Sequence, residues 1–180
     1  MIGLRILNLL KKYYKLIVSQ MNTKQIKYLV MDVDGTLTDG KIYMGVNGEV
    51  MKAFSIKDGL AIHEYLPQAG ILPLIITGRC SSIVQNRCKE LGIVDLYQGV
   101  SDKSSTLCHF LEEHNGKLAE VAYAGDDIND LPCMQMVKSN GGLVCVPNDA
   151  CRQVKDIADY VSSLKGGDGA VREIIEWLME

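Results

Sequence analysis

The sequence predicts an α/β fold, a mainly parallel β-sheet covered by helices on both faces. Three observations carry this expectation. The 180 residues are 47% apolar and 23% charged, the balance of a globular chain long enough for one domain. From residue 26 onward, short apolar runs of the kind buried on both faces of a sheet alternate with longer helical patterns. Polar clusters follow directly on three of those runs, and parallel sheets bind their ligands beyond the carboxyl ends of their strands.

Residues 1–21 precede the alternation. Ile2, Ile6, Leu9, Leu10, Tyr13, Leu16 and Ile17 recur at helical spacing, with Arg5, Lys12 and Lys15 largely opposite, so an amino-terminal helical extension is expected. Such a basic amphipathic helix packs on the body, packs on a neighbouring subunit or lies on anionic lipid, and Met21 offers an alternative start. No uncharged apolar stretch approaches the roughly 18 residues of a membrane span.

The domain proper is read as residues 22–180. Ile26–Met31 is its first strand and runs into Asp32. Lys41–Met44 and Glu49–Ser55 flank Asn47-Gly48, a dipeptide suited to a tight hairpin turn. Leu72–Ile76, Asp95–Gln98, Val121–Ala124 and Leu143–Val146 are the further strands. Helices are expected over Gly59–Gln68, Ser81–Leu91, Lys103–His114, Ile128–Val137, Ala150–Ile157 and Ala170–Met179. A Gly-rich carboxy-terminal tail occupies 165–180.

The formal charge of −3 conceals an asymmetry. Residues 1–27 hold six basic residues and no acid, which leaves 13 basic against 22 acidic residues in the remainder, a net of −9. An acidic body excludes nucleic acid as the partner. With an anionic ligand, it would need a cation. The six cysteines (Cys80, Cys88, Cys108, Cys133, Cys145, Cys151) include no CxxC pair, and His63, His109 and His114 supply no companion ligands, so zinc is not expected. They read as reduced, small core residues of a cytoplasmic protein.

Three clusters carry chemistry. Asp32-Val33-Asp34-Gly35-Thr36 sets two carboxylates two residues apart at a strand end, where they repel unless a cation or an acid–base role separates them. The bland reading, a solvated turn, fits poorly after so apolar a strand. Thr77-Gly78-Arg79 follows Leu72–Ile76 and offers a hydroxyl and backbone N–H groups to an anion, although Thr and Gly also cap helices for purely structural reasons. Gly125-Asp126-Asp127-Ile128-Asn129-Asp130 packs three acids into five residues, oxygen ligands of the kind that suit Mg²⁺, with Asp127 or Asp130 equally able to cap a helix. Lys103 lies between, and lysines are ordinarily solvated.

The order DxDGT, TG, Lys, GDDxxD, each part beyond a strand, resembles the haloacid dehalogenase superfamily of aspartate-nucleophile phosphatases over residues 26 to about 162. The resemblance implies a Rossmann-like core with the hairpin at 40–55 as a flap. It also implies roles: Asp32 as nucleophile and Asp34 as general acid and base. Asp32, the backbone carbonyl of Asp34 and Asp126 become ligands of Mg²⁺, and Thr77 and Lys103 bind the phosphoryl group. Asp127 and Asp130 then support the metal shell or Lys103. An acid at position 34 is similar to the phosphatases of the superfamily rather than to its dehalogenases. The stretches between Ser55 and Gly78 and between Arg79 and Lys103 hold one helix and one strand each, so no cap domain is expected.

Thr38-Asp39-Gly40, Tyr43-Met44-Gly45, Lys57-Asp58-Gly59 and Gly166-Gly167-Asp168-Gly169-Ala170-Val171-Arg172-Glu173 further resemble the branch that dephosphorylates a phosphorylated keto sugar acid, 3-deoxy-D-manno-octulosonate (KDO) 8-phosphate. That branch implies a homotetramer with central hairpins and active sites completed by neighbouring chains. It makes Lys57, Gly78, Arg79 and Arg172 substrate-binding candidates and lets the glycine-rich tail fold over the site. A flexible linker before a final helix is the structural alternative for that tail. Phosphatases of KDN 9-phosphate or N-acylneuraminate 9-phosphate are the neighbouring reading, and Arg79 leans toward the eight-carbon acid. A reading of another class is a non-catalytic oligomerisation module of the same fold.

Overall fold

Tyr28–Met31 (β1) is buried at all four positions, and the sheet is assembled around it. The structure, a computed structural model, describes residues 25–180; the helix expected within 1–21 lies outside the described residues. β1 lies between Leu72–Ile76 (β4) and Val121–Ala124 (β6). Asp95–Tyr97 (β5) flanks β4, Leu143–Val146 (β7) flanks β6, and Tyr160–Val161 (β8) forms the edge. The order β5-β4-β1-β6-β7-β8 is parallel throughout. β8 was not expected: two residues are too short to carry a period.

Alternate side chains of β1 enter two cores. Leu29 and Met31 face a helical run over 56–69 (α1), Ser82–Leu91 (α2) and Ala170–Leu178 (α6). Tyr28 and Val30 face Lys103–Glu113 (α3), Leu131–Ser139 (α4) and Arg152–Ile157 (α5). Burial on both faces explains why the strands read as apolar runs. α1 combines Ile56–Leu60, a π turn over Ala61–Tyr65 and Leu66–Ala69. It starts earlier than expected because Ser55 caps it, accepting from the N–H groups of Lys57 and Asp58. Among the described residues no cap domain stands over the strand tips, and no helix is long and apolar enough to cross a membrane.

Tyr43–Gly45 (β2) and Gly48–Met51 (β3) form a separate antiparallel hairpin. Gly45 pairs with Gly48, so Val46 and Asn47 make the turn and Gly48 alone takes a positive φ, of 110°. The turn is therefore one residue earlier than Asn47-Gly48 suggested.

The tail differs more. A Cβ on Gly166 would lie 1.9 Å from the carbonyl oxygen of Gly35, so only glycine lets residues 166–167 lie against the loop after β1. Gly167 donates to the carbonyl of Thr36 (3.1 Å) and Gly166 to Asp149 Oδ1 (3.0 Å). Beyond it, α6 buries Val171, Ile174, Ile175 and Leu178, and the N–H of Arg172 donates to the buried Asp58 (2.8 Å). The expected lid is, within this chain, a packed support beneath the Asp32–Thr38 loop.

Candidate active site

Parallel register builds the site. Met31 pairs with both Ile75 and Ala124, so Asp32, Thr77 and Asp126 follow at three adjacent strand tips. Lys103, the first residue of α3, follows Asp102, whose side chain caps the helix at the N–H of Ser105 (3.0 Å). The Lys103 ammonium lies 2.8 Å from Asp32 Oδ1 and 2.7 Å from Asp130 Oδ1. Asp130, wholly buried, also accepts from Tyr123 OH (2.8 Å) and from the N–H groups of Asp126 (3.1 Å) and Asp127 (3.4 Å). Those bonds hold 126–130 as a turn, which is why α4 starts at Leu131 and not at Ile128.

Asp126 accepts from Thr36 Oγ1 (3.1 Å), and a Cβ on Gly35, at φ 101°, would lie 2.0 Å from its Oδ2. Gly35 therefore lets the loop after β1 close on Asp126. Carboxylate oxygens of Asp32, Asp126 and Asp130 lie within 4.8 Å of one another. Burial first, then Asp130, pushes Asp32 up to about 6 against the pull of Lys103. Burial, then Asp32 and Asp130, pushes Asp126 up to about 7. Lys103, although burial opposes its charge, is held above its usual range by Asp32 and Asp130. One ammonium cannot offset three clustered carboxylates.

Asp32 Oδ1 is buried without a hydrogen bond, and its contact with Lys103 is an ion pair alone. These oxygens fit a hard divalent cation: Asp32 and Asp126 face one point, and the Asp34 carbonyl belongs to the intervening loop. Thr77 is buried at its tip, fixed by its N–H to Tyr97 O (2.9 Å) and by Val100 N–H to its carbonyl (3.1 Å). Gly78 is exposed beside it. Arg79 reaches 3.6 Å from Asp34 Oδ2 and 3.6 Å from Glu49 Oε1.

Three expected residues stand apart from this cluster in the described chain. Asp127 is exposed and its carboxylate accepts from Ile128 N–H (2.8 Å). Lys57 lies on the exposed first turn of α1, beside Gly169. The Arg172 guanidinium stacks on Tyr65 (4.3 Å), donates to its hydroxyl (2.7 Å) and pairs with Glu176 (2.5 Å).

Two residues were missed. Lys52, with a fully buried side chain, bonds Asp34 Oδ1 and lies 3.0 Å from Glu49 Oε1; Glu49 Oε2 accepts from Ser81 Oγ (2.5 Å). Their signal, an acid and a base three apart in an otherwise apolar hairpin, is too common to stand out. Burial also raises the thiols of Cys88 to about 11 and Cys133 to about 12, so neither is a nucleophile.

Comparison with known proteins agrees with this architecture. Residues 75–174 match the model of the haloacid dehalogenase-like hydrolases. The chain is 45% identical over 156 residues to the 3-deoxy-D-manno-octulosonate 8-phosphate phosphatase KdsC of Salmonella typhi, covering 87% of this chain and 80% of that protein. The crystal structure of that phosphatase from Moraxella catarrhalis, in complex with magnesium, phosphate and KDO, is similar at a TM-score of 0.82. The two share 39% identity, with 90% of each chain covered. The cobalt-bound enzyme of Haemophilus influenzae is similar at 0.81 and 34% identity, covering 88% of this chain and 90% of that one. Clustered acids beyond adjacent parallel strands, with a buried lysine from α3 against them, together with these likenesses make the chain a member of the haloacid dehalogenase-like hydrolase family.

Proposed function

We propose that the chain is a Mg²⁺-dependent phosphatase that hydrolyses KDO 8-phosphate to KDO and phosphate. The observation that carries this reading is the convergence of Asp32 and Asp126, at neighbouring strand tips, with Lys103 at the start of α3. Likeness over nearly the whole chain to an enzyme seen with magnesium, phosphate and KDO supports the substrate.

Asp32 is the nucleophile in this reading. Its carboxylate attacks phosphorus, the bond from phosphorus to the sugar oxygen breaks, and Asp34 gives that oxygen a proton. Water then attacks the aspartyl phosphate and passes a proton to Asp34. The bond between phosphorus and Asp32 breaks, releasing phosphate. Lys103 and Thr77 hold the phosphoryl oxygens, and Asp130 fixes Lys103. Asp32, Asp126 and the Asp34 carbonyl would hold Mg²⁺, which supplies positive charge against the repulsion between a carboxylate and a phosphate dianion. Arg79, with Gly78 beside it, faces the sugar acid.

The assembly in this reading is a homotetramer. Met44, Val46, Val50 and Met51 are exposed on the hairpin, Val46 fully, and apolar side chains so placed favour a protein partner. Neighbouring hairpins would cover a site that the described residues leave uncapped. The six free cysteines support a reducing, cytoplasmic setting.

Phosphate release from KDO 8-phosphate and KDN 9-phosphate tests the reading, with and without EDTA, in wild type and Asp32→Asn. Release from the eight-carbon substrate is expected, abolished by EDTA and by Asp32→Asn. Activity retained in Asp32→Asn would overturn the nucleophile, and preference for the nine-carbon acid would overturn the substrate.

A further inference from the structure

We infer that Lys52 is a positioning residue for Asp34: from the hairpin it holds one carboxylate oxygen so that the other is presented to the leaving group. This rests on the reading of Asp34 as general acid and base. The geometry has three parts. First, the Lys52 side chain is fully buried, and its ammonium donates to Asp34 Oδ1 and is ion-paired with Glu49 Oε1 at 3.0 Å. A buried ammonium must keep such partners, so it is not available to a substrate carboxylate.

Second, Asp34 is only partly buried, its side chain 18% exposed. Torsion about its terminal bond is intrinsically broad, so something must set the carboxylate plane. Lys52 does so at Oδ1. Oδ2 is held less closely, its partner being the Arg79 guanidinium at 3.6 Å, beyond hydrogen-bond range.

Third, Glu49 shares the ammonium and is itself tied to Ser81 in the loop after β4 (2.5 Å). The chain Ser81–Glu49–Lys52–Asp34 therefore joins the hairpin to two strand tips. Proton donation by Asp34 then depends on the hairpin as well as on the sheet.

Proton donation matters most where the leaving oxygen is strongly basic, as in a sugar alkoxide, and least for p-nitrophenolate. The test measures kcat and KM of wild type, Lys52→Met, Lys52→Gln, Asp34→Asn and the double variant Lys52→Met/Asp34→Asn. Substrates are KDO 8-phosphate and p-nitrophenyl phosphate, with enzyme in excess where turnover is slow, and thermal unfolding identifies the variants that fold. Lys52→Met is expected to lower kcat on the sugar phosphate by about 100-fold, with KM little changed and a loss at least tenfold smaller on the aryl ester. Lys52→Gln is expected to show the same selectivity and carries the test if the methionine variant does not fold. In the Asp34→Asn background, Lys52→Met is expected to add little, because both act on one proton transfer.

Equal losses on both substrates, a rise in KM at constant kcat, or additive effects in the double variant would each overturn the inference while Asp32→Asn stays inactive. Activity in Asp32→Asn would instead remove the reading beneath it.

Discussion

Asp130 does more than its place at the end of an acidic run suggests. With no exposed surface, it pairs with Lys103, accepts from the Tyr123 hydroxyl and takes two backbone N–H groups of the turn that carries Asp126. Asp130→Ala would leave a buried ammonium short of a partner and the turn without its acceptor. A loss of about 3–5 kcal/mol is expected in urea unfolding, against about 1 kcal/mol for Tyr123→Phe, which removes one hydrogen bond. The double variant should fall short of the sum, since both touch the same carboxylate. Full additivity would mean that the network is not coupled. The clustering of Asp32 and Asp126 was legible because each stands just beyond a fully buried apolar strand, whereas Lys103, well past the half-buried β5, drew notice only through the family resemblance. Lys52 and Glu49 were not legible, because their meaning lies in contacts to Asp34 and Ser81, 18 and 32 residues away. Asp127 shows the reverse: a motif position whose carboxylate caps a turn.

Among the elements, strands buried on both faces declared themselves as apolar runs, whereas edges and turns did not. β8 is two residues long, α4 is delayed by the Asp130 turn, and the hairpin turn moved back because Gly48 alone takes the positive φ. The glycines at 166–169 invited a flexible reading, since composition cannot distinguish freedom from close approach; contact with Gly35 and Thr38 decides for close approach. The hairpin carries exposed apolar side chains that nothing among the described residues covers. Its apolar side chains point outward, while Glu49 and Lys52 point to the site. A charge at its tip should therefore block assembly without unfolding the sheet. By light scattering, wild type is expected at four times the 19.9 kDa chain mass and Val46→Asp at a smaller multiple, with unfolding temperature little changed and KDO 8-phosphate turnover reduced. A wild-type monomer, or an unaltered Val46→Asp tetramer, would sink the proposed role of the hairpin.

At the scale of the molecule, the parallel sheet forces together charges that would separate in an unfolded chain. Asp32 and Asp126 are pushed up to about 6 and about 7, burial being the largest cause for both. Their folded carboxyls therefore hold protons that the unfolded chain has already released near pH 4. The sign follows: this pair costs no stability below about pH 4, and its cost builds as pH rises from there and is complete above about 7. A divalent cation acts in the opposite sense, because it binds the ionised pair and competes with protons for it. The stabilisation given by Mg²⁺ should thus be small at pH 5 and large at pH 8, where a concentration of 100 times Kd adds about 2.7 kcal/mol. Other carboxyls, such as Glu49 and Glu173, shift downward and slope the other way, so the pair must be isolated by difference. Unfolding temperatures of wild type and Asp126→Asn, each in EDTA and in Mg²⁺ at pH 5 and pH 8, supply that difference. The variant should lose most of the Mg²⁺ shift and be more stable than wild type in EDTA at pH 8, having one fewer buried charge. A Mg²⁺ shift equal at both pH values, or intact in Asp126→Asn, would show that these carboxylates are not where the cation binds.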